Sequence, residues 1–502
     1  MRRLGTARTC VGILGILAIV LSLWQLLSER QGITRTDLLI GQTPATLYVK
    51  QGAAPAPLVV IAHGFAGSRQ FMEAFSLTLA GSGYTALAFD FQGHGRNPVP
   101  MSGDVSRIDG TTQLLMDETS RVIDAGLARP EVSGGVSLLG HSMATDVIAR
   151  VAVRDARVDA VVGVSMFSQA VTQDQPERLL MVAGAWEPHL RDFGLAALRM
   201  VDPKAVEGDT VRNGDVVRRS VAAPHTEHVS VLYSETTLRA ARDFLDDTYD
   251  RQSRAQITRH GPWVGLLLAG ILALGWPLFS RPGVGVGAGP GAGHVVVPSW
   301  RVVLVVSLVP ASLVPLVLSL FETRVLPVLV ADYLALHLAF YGAVQLGLLA
   351  WFGIRPGIGK QALLPAAMLL VYGIFGFGFA LDQFGASFVP HAGRVVIIAA
   401  VALGAVPFML GDAVACAGGA APVLRRLTVR AGFLASLVLA VVLDFERLFF
   451  LVMIIPVIVL FFLIFGTMGG WVGRRAGPAA SGLALGVILA WAIGVSFPLF
   501  SV

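Results

Sequence analysis

Ser142 lies at the centre of Gly140-His141-Ser142-Met143-Ala144, between an apolar, β-compatible run (135–139) and a helical stretch (145–153). A serine on a sharp strand-to-helix turn has its hydroxyl pushed into the open, where a neighbouring base can take its proton. The chemistry to which this points is nucleophilic attack on an acyl carbonyl. Ala144 stands where the pattern usually ends in glycine, and alanine is the least damaging replacement where a helix passes close to its turn. Five residues alone also occur in structural turns, so the flanking elements decide their meaning.

Those elements follow in a tight order. Residues 57–62 read as a buried strand ending at His63-Gly64-Phe65-Ala66-Gly67, and residues 85–90 as another ending at Phe91-Gln92-Gly93-His94-Gly95-Arg96. Helical periodicity over 71–80 separates them, and over 111–127 it precedes the serine strand. Strands alternating with helices at this spacing imply βαβ units and a parallel sheet. Ligands on such sheets bind at the carboxyl ends of the strands, where both the His63 turn and the Ser142 turn fall.

These residues resemble the α/β-hydrolase superfamily, especially its esterase, monoglyceride-lipase-like and serine-aminopeptidase-like members, over roughly residues 33–250. The resemblance implies an α/β hydrolase fold, a mostly parallel sheet flanked by helices. It also implies an oxyanion hole formed by the backbone N–H groups of Phe65 and Met143. In the family the order is serine, acid, histidine. After strands at 158–165 and 178–184, Glu187 stands three residues past Gly184, where members often place an aspartate; Asp192 is the alternative acid. A last strand over 216–222 leads to His225 and His228, and a helix over 236–247 closes the unit. His228 is favoured as base because the family's histidine commonly heads an apolar segment before the final helix; His225 is its competitor. The implied mechanism is a Ser142–His228–Glu187 triad acting through an acyl-enzyme on an ester, thioester or amide. His63 and His94 read as structural and His141 as packing beside the nucleophile. Asp146 reads as a complement to the following helix N-terminus. No His/Cys/Asp cluster has ligand spacing, so neither a metal nor another cofactor is expected.

The rest of the chain is a different material. Of 502 residues, 54% are hydrophobic and only 14% charged, and the charges are segregated. Residues 32–260 hold 26 of the 33 acidic and 22 of the 38 basic side chains, which gives that part a net charge of −4. The chain's formal +5 therefore sits elsewhere and does not indicate nucleic-acid binding. Residues 10–27 form one apolar run after Arg2, Arg3 and Arg8, without a clear small-x-small cleavage site before Ser28. An uncleaved signal anchor is expected rather than a signal peptide.

Eight more spans are expected at 263–280, 302–321, 325–351, 362–381, 394–416, 431–443, 448–467 and 479–500, with 431–443 the shortest. Arg281, Arg301, Arg355, Lys360, Arg425, Arg426, Arg430, Arg474 and Arg475 fall in alternate short loops, whereas the other loops hold only Arg324, Arg394 and Arg447. The positive-inside rule then places the N-terminus in the cytoplasm. The expected organisation is a signal-anchor helix (1–30), an extracytoplasmic α/β-hydrolase domain (31–255) and a membrane domain (262–502). Arg-, Ala-, Gly- and Val-rich usage points to a bacterial chain of high genomic GC, hence to an inner membrane with the hydrolase in the periplasm. The two cysteines, Cys10 and Cys416, lie outside the hydrolase part, so disulfides do not staple it.

The run Pro282-Gly283-Val284-Gly285-Val286-Gly287-Ala288-Gly289-Pro290-Gly291 follows a span rather than a strand and lacks the Gly-Lys-Ser/Thr ending of a phosphate loop, so it reads as a cytoplasmic linker. Ionisable groups inside spans are costly: Asp332 and His337 share one, with Tyr333, His337 and Tyr341 on one face, while Asp412 and Asp382 lie near span ends. Interhelical hydrogen bonding is the favoured reading of these groups, and a substrate or proton path the alternative. For the chain as a whole, the expectation is a membrane-tethered serine hydrolase acting on a small-molecule or lipid acyl substrate among membrane lipids. The alternatives are an acyltransferase or transport-coupled protein whose bundle presents the substrate, and a binding module with a dead site.

Overall fold

The computed structural model describes residues 2–104, 108–280, 296–321, 326, 328 and 330–501. The linker read at 282–291, and Arg281 and Arg324 of the charge argument, lie outside the described residues.

Nine strands form one sheet: β1 (Ile33–Ile40), β2 (Thr43–Lys50), β3 (Ala56–Ala62), β4 (Thr85–Phe89), β5 (Val132–His141), β6 (Val158–Val164), β7 (Arg178–Gly184), β8 (Thr210–Asn213) and β9 (Val216–Ala223). Their order is β1-β2-β4-β3-β5-β6-β7-β9-β8, with β4 through β9 parallel and antiparallel pairs at both edges. The central strands read as continuous apolar runs because both faces are covered. In β3, Leu58, Val60 and Ala62 join one core, with side chains of helices α3 (Gln113–Leu127), α4 (Met143–Arg154) and α5 (Pro188–Arg199). Val59 and Ile61 point the other way, into a core shared with α2 (Glu73–Gly81) and α6 (Glu235–Thr248). The strand period of two thus feeds two helical layers from one sheet.

Of the edge pairs, only β9 was read from the sequence. β1 is exposed along most of its length, so its alternation carries little apolar signal, and β8 is only four residues long. The helix read at 111–127 begins instead with a π turn over Ile108–Thr112, where the non-helical Gly110 bends the chain.

Among the described residues, nine helices are long and apolar enough to cross a membrane: Thr6–Glu29 within α1 (Arg2–Glu29), α7 (His260–Ser280), α8 (Trp300–Leu318), α9 (Ala331–Trp351), Lys360–Phe384, α12 (Ala392–Ala415), α13 (Val423–Leu443), α15 (Leu451–Ala476) and α16 (Pro478–Ser496). Lys360–Phe384 comprises α10 (Lys360–Val371), a π turn and α11 (Phe379–Phe384); the four-residue α14 (Phe445–Leu448) joins α13 to α15. The segment read at 431–443 starts eight residues earlier, at Val423. Its first turns carry Arg425, Arg426 and Arg430, which broke the apolar pattern; Arg430 folds back onto Asp412 at 3.5 Å. Asp332 occupies the first turn of α9, where it accepts from the Leu326 N–H, rather than the interior of a span. Deeper in α9, His337 meets Ser436 (3.0 Å) and Tyr333 (3.3 Å), Tyr341 donates to the Ser307 carbonyl, and Gln345 donates to the Val306 carbonyl. The polar face read on α9 is therefore an interhelical hydrogen-bond row.

One end of the bundle carries the contacts with the sheet region. Arg30 pairs with Glu73 (2.7 Å) and donates to the Gln383 carbonyl, while Arg96 pairs with Asp382 (2.6 Å). Arg394, buried at the start of α12, donates to the carbonyls of Gly494, Phe497 and Gly93. Buried arginine is tolerated there because both terminal nitrogens meet backbone carbonyls, although among the described residues Nε has no partner. The chain beyond α16 runs alongside the 91–101 loop: Leu499 donates to Gly93 and accepts from Met101, and Ser501 donates to Met101. Phe500 enters the sheet-region core, 3% exposed. Removing such a ring leaves a cavity, so Phe500→Ala is expected to cost about 3 kcal/mol. A fall in thermal midpoint of the purified full chain would register it, whereas an unchanged midpoint would show the tail to be a surface strap.

Candidate active site

β5 ends at His141, and the chain turns at once into α4 through Ser142, whose φ of 53° and ψ of −119° are sparsely populated by any residue with a side chain. Surrounding bonds fix this strained corner: the Ser142 N–H donates to the Val164 carbonyl at 2.9 Å, and the Ser142 carbonyl accepts from the Thr145 hydroxyl at 2.6 Å. Close approach also demands small residues. A Cβ on Gly64 would meet Ser142 and His141 at about 3 Å, and one on Gly140 would lie 3.2 Å from the Ala144 methyl. Gly140, at this contact, absorbs the extra atom that Ala144 brings.

Glu187 follows β7 as the residue capping α5, and His228 lies on the turn after β9. His228 Nδ1 stands 2.6 Å from Glu187 Oε1, and His228 Nε2 stands 2.8 Å from Ser142 Oγ. A carboxylate can only accept, so the imidazole proton sits on Nδ1 and the Nε2 lone pair faces the serine hydroxyl. Glu187 Oε2 accepts from the Gly184 N–H and from the Ser165 hydroxyl, both at 2.7 Å. Burial by itself would raise the Glu187 carboxyl; the hydrogen bonds from His228, Ser165 and Gly184 outweigh it and hold the group below the ordinary glutamate value.

The structure thus brings Ser142, His228 and Glu187 into one hydrogen-bonded line. His225 (φ 58°) and Asp192 are exposed and stand outside it. Phe65 and Met143 flank Ser142 in the same cavity, and among the described residues no backbone carbonyl accepts from either N–H.

Sequence reasoning did not find Ser165. It follows β6 with a positive φ (51°) and holds the acid from behind, and no sequence pattern marks a single serine for that task. Asp146 was read as a helix-terminus complement. It sits in the first turn of α4 but also pairs with Arg150 (2.7 Å) and accepts from Ser168 (2.6 Å).

His63 and His94 are buried and bonded to loop backbone: His63 Nε2 accepts from the Phe91 N–H, and His94 Nδ1 meets the Gln92 carbonyl. His141 donates from Nε2 to the His228 carbonyl at 2.8 Å, which ties the histidine loop to the serine corner. Burial pushes the His141 imidazole down to about 4, and His63 and His94 are also lowered by burial. Each is neutral when folded and takes up a proton on unfolding below its ordinary value near 6.5. Their contribution to stability is complete above that pH and lost as pH falls towards 4. For His141 a shift of this size is worth roughly 3 kcal/mol. The thermal midpoint should therefore drop between pH 6.5 and 4, and His141→Gln should flatten that drop; equal slopes in the two proteins would contradict it.

Residues 53–256 match the family model described as serine aminopeptidase, S33. That match falls on the parallel sheet and the Ser142 turn. This segment has the α/β-hydrolase fold. Solved structures to which this chain is similar include a dienelactone hydrolase from Anabaena variabilis (16% identical, covering 45% of this chain and 100% of the other, TM-score 0.33). Another is the Est1E protein of Butyrivibrio proteoclasticus with bound ferulic acid (15% identical, 43% and 100% covered, TM-score 0.32). No curated protein matches the chain.

A cavity of about 570 Å³ opens beside Ser142 and His228. The hydrolase domain supplies most of its lining, including Met101, Leu115, Val147 and Phe167. Phe450 and Met453, from the start of α15, supply the rest. Among the described residues no group of three or more His, Cys, Asp or Glu side chains could hold a metal ion.

Proposed function

We propose that this chain is a membrane-embedded serine hydrolase that cleaves acyl esters, or chemically related thioesters or amides, through an acyl-enzyme. The observation that carries the reading is the line Ser142 Oγ–His228 Nε2–Glu187 Oε1, with steps of 2.8 and 2.6 Å, at a strained strand-to-helix corner. In this mechanism His228 takes the Ser142 proton as Oγ attacks the acyl carbon. Glu187 holds the imidazole tautomer and stabilises its positive charge. The N–H groups of Phe65 and Met143 receive the oxyanion, and His228 returns the proton to the leaving group. Water, activated by the same histidine, then releases the acid.

The nine apolar helices support a polytopic protein, and the arginine-rich loops support a cytoplasmic N-terminus with the hydrolase domain outside. On that reading the domain organisation is an anchor helix (1–30), the outer hydrolase (31–255) and the remaining spans (262–502). The bundle's contribution of Phe450 and Met453 to the cavity favours a bundle that shapes the site over one that only tethers it.

Turnover of p-nitrophenyl butyrate by the full chain in vesicles tests the chemistry. A burst of p-nitrophenol equal to the enzyme, followed by a slower steady state, is expected for an acyl-enzyme. Folded protein with neither burst nor turnover would contradict it.

A further inference from the structure

The hydrolase domain does not close its own cavity. Phe450, the residue before α15, lies with its ring 5.2 Å from that of Phe65 and inclined by 31°, so a bundle side chain packs directly on the turn that flanks Ser142. Met453, three residues on, lines the same cavity and is nonetheless 46% exposed. Val457 and Leu460, four and seven residues on and so on the same face of α15, are likewise exposed apolar side chains. One side chain therefore borders both the cavity beside the nucleophile and the face that a bilayer would cover. An apolar mouth of this kind is unfavourable in water and is satisfied by hydrocarbon. The charged lining lies on the hydrolase side, where Asp146 and Arg150 pair on α4. The cavity is thus apolar towards α15 and carries its ion pair on α4.

We propose that the substrate is an acyl amphiphile resident in the outer leaflet, entering the cavity sideways past Met453. Its chain lies against Phe450 and its ester carbonyl reaches Ser142. The proposal rests on the reading of Ser142 as acyl nucleophile and of the helices as membrane spans. The bond formed is Ser142 Oγ to the acyl carbon, and the bond broken is that carbon's ester C–O. The serine proton passes through His228 to the departing alcohol. Water then adds to the acyl carbon, Oγ leaves with a proton, and a long-chain acid is released. Phe450 and Met453 are on this account specificity-determining residues contributed by the bundle.

The test uses the full chain in phosphatidylcholine vesicles with two reporters, p-nitrophenyl butyrate and bilayer-dissolved p-nitrophenyl palmitate, and parallel labelling by a fluorophosphonate. The expected result is a kcat/KM at least tenfold higher for palmitate. Met453→Glu, which puts a charge in the mouth, should lower palmitate turnover at least tenfold, and Phe450→Ala should narrow the chain-length preference. Fluorophosphonate labelling of each variant reports that the Ser142 site is still assembled. A wild type that is labelled and cleaves butyrate without preferring palmitate overturns the proposal and leaves the serine chemistry standing. So does a preference that both variants leave intact. Wild type that is neither labelled nor active on either ester overturns the proposal together with the reading beneath it.

Discussion

Ser142→Ala is expected to lower kcat for acyl-ester hydrolysis by about 10⁶-fold, the order found when a triad nucleophile is removed and only oxyanion donors and binding remain. The size of the effect follows from the geometry. His228 Nε2 has Ser142 Oγ as its partner at 2.8 Å, and a methyl group there leaves the base nothing to deprotonate. Stability should change little, because the Ser142 hydroxyl caps no backbone group and the strained corner is fixed through its main-chain atoms. Hydrolysis rates of well-folded wild type and variant under the same conditions check this; a loss of under about tenfold would assign the nucleophile's role to another residue.

Glu187→Gln should lower kcat by about 10³- to 10⁴-fold with KM nearly unchanged, for a different reason. A glutamine amide can turn its NH₂ towards His228 Nδ1 and so favour the tautomer with the proton on Nε2. That proton would then face Ser142 and block the base. The substitution also weakens the acceptor that binds the Gly184 N–H and the Ser165 hydroxyl. Glu187→Asp keeps the charge and should retain more activity than the amide, limited by its shorter reach. If the Asp variant lost more activity than the Gln variant, reach rather than charge and tautomer would be the controlling factor.

Much of this site was legible in the sequence because each part obeys a local rule. Buried parallel strands read as unbroken apolar runs, and the two turns that end β3 and β5 carry residues that only close backbone packing requires. Gly64 and Gly140 are such residues. Glu187 and His228 were singled out through the family resemblance, which places an acid and a histidine after strands such as β7 and β9; in the structure they join Ser142, and His225 and Asp192 stand outside. The edge strands β1 and β8 were not legible, since an exposed or four-residue strand shows little alternation. Nor was Ser165, whose role depends on β6 and β7 lying side by side.

The least legible feature was the union of hydrolase and bundle. Arg394 on the Gly93 carbonyl, Phe500 in the hydrolase core and Phe450 on Phe65 join residues roughly 300 to 400 positions apart in sequence. No periodicity or spacing encodes contacts of that range. The arginines of α13 misled for the opposite reason: a span with three cations in its first turns reads as a loop until Arg430 is seen to meet Asp412.

The most direct test of the central claim is covalent labelling of the full chain in vesicles by a fluorophosphonate, with the modified peptide identified by mass spectrometry. The account predicts phosphonylation at Ser142, lost in Ser142→Ala and strongly slowed in His228→Ala. Folded wild type that takes no label, or label that persists in Ser142→Ala, would contradict it.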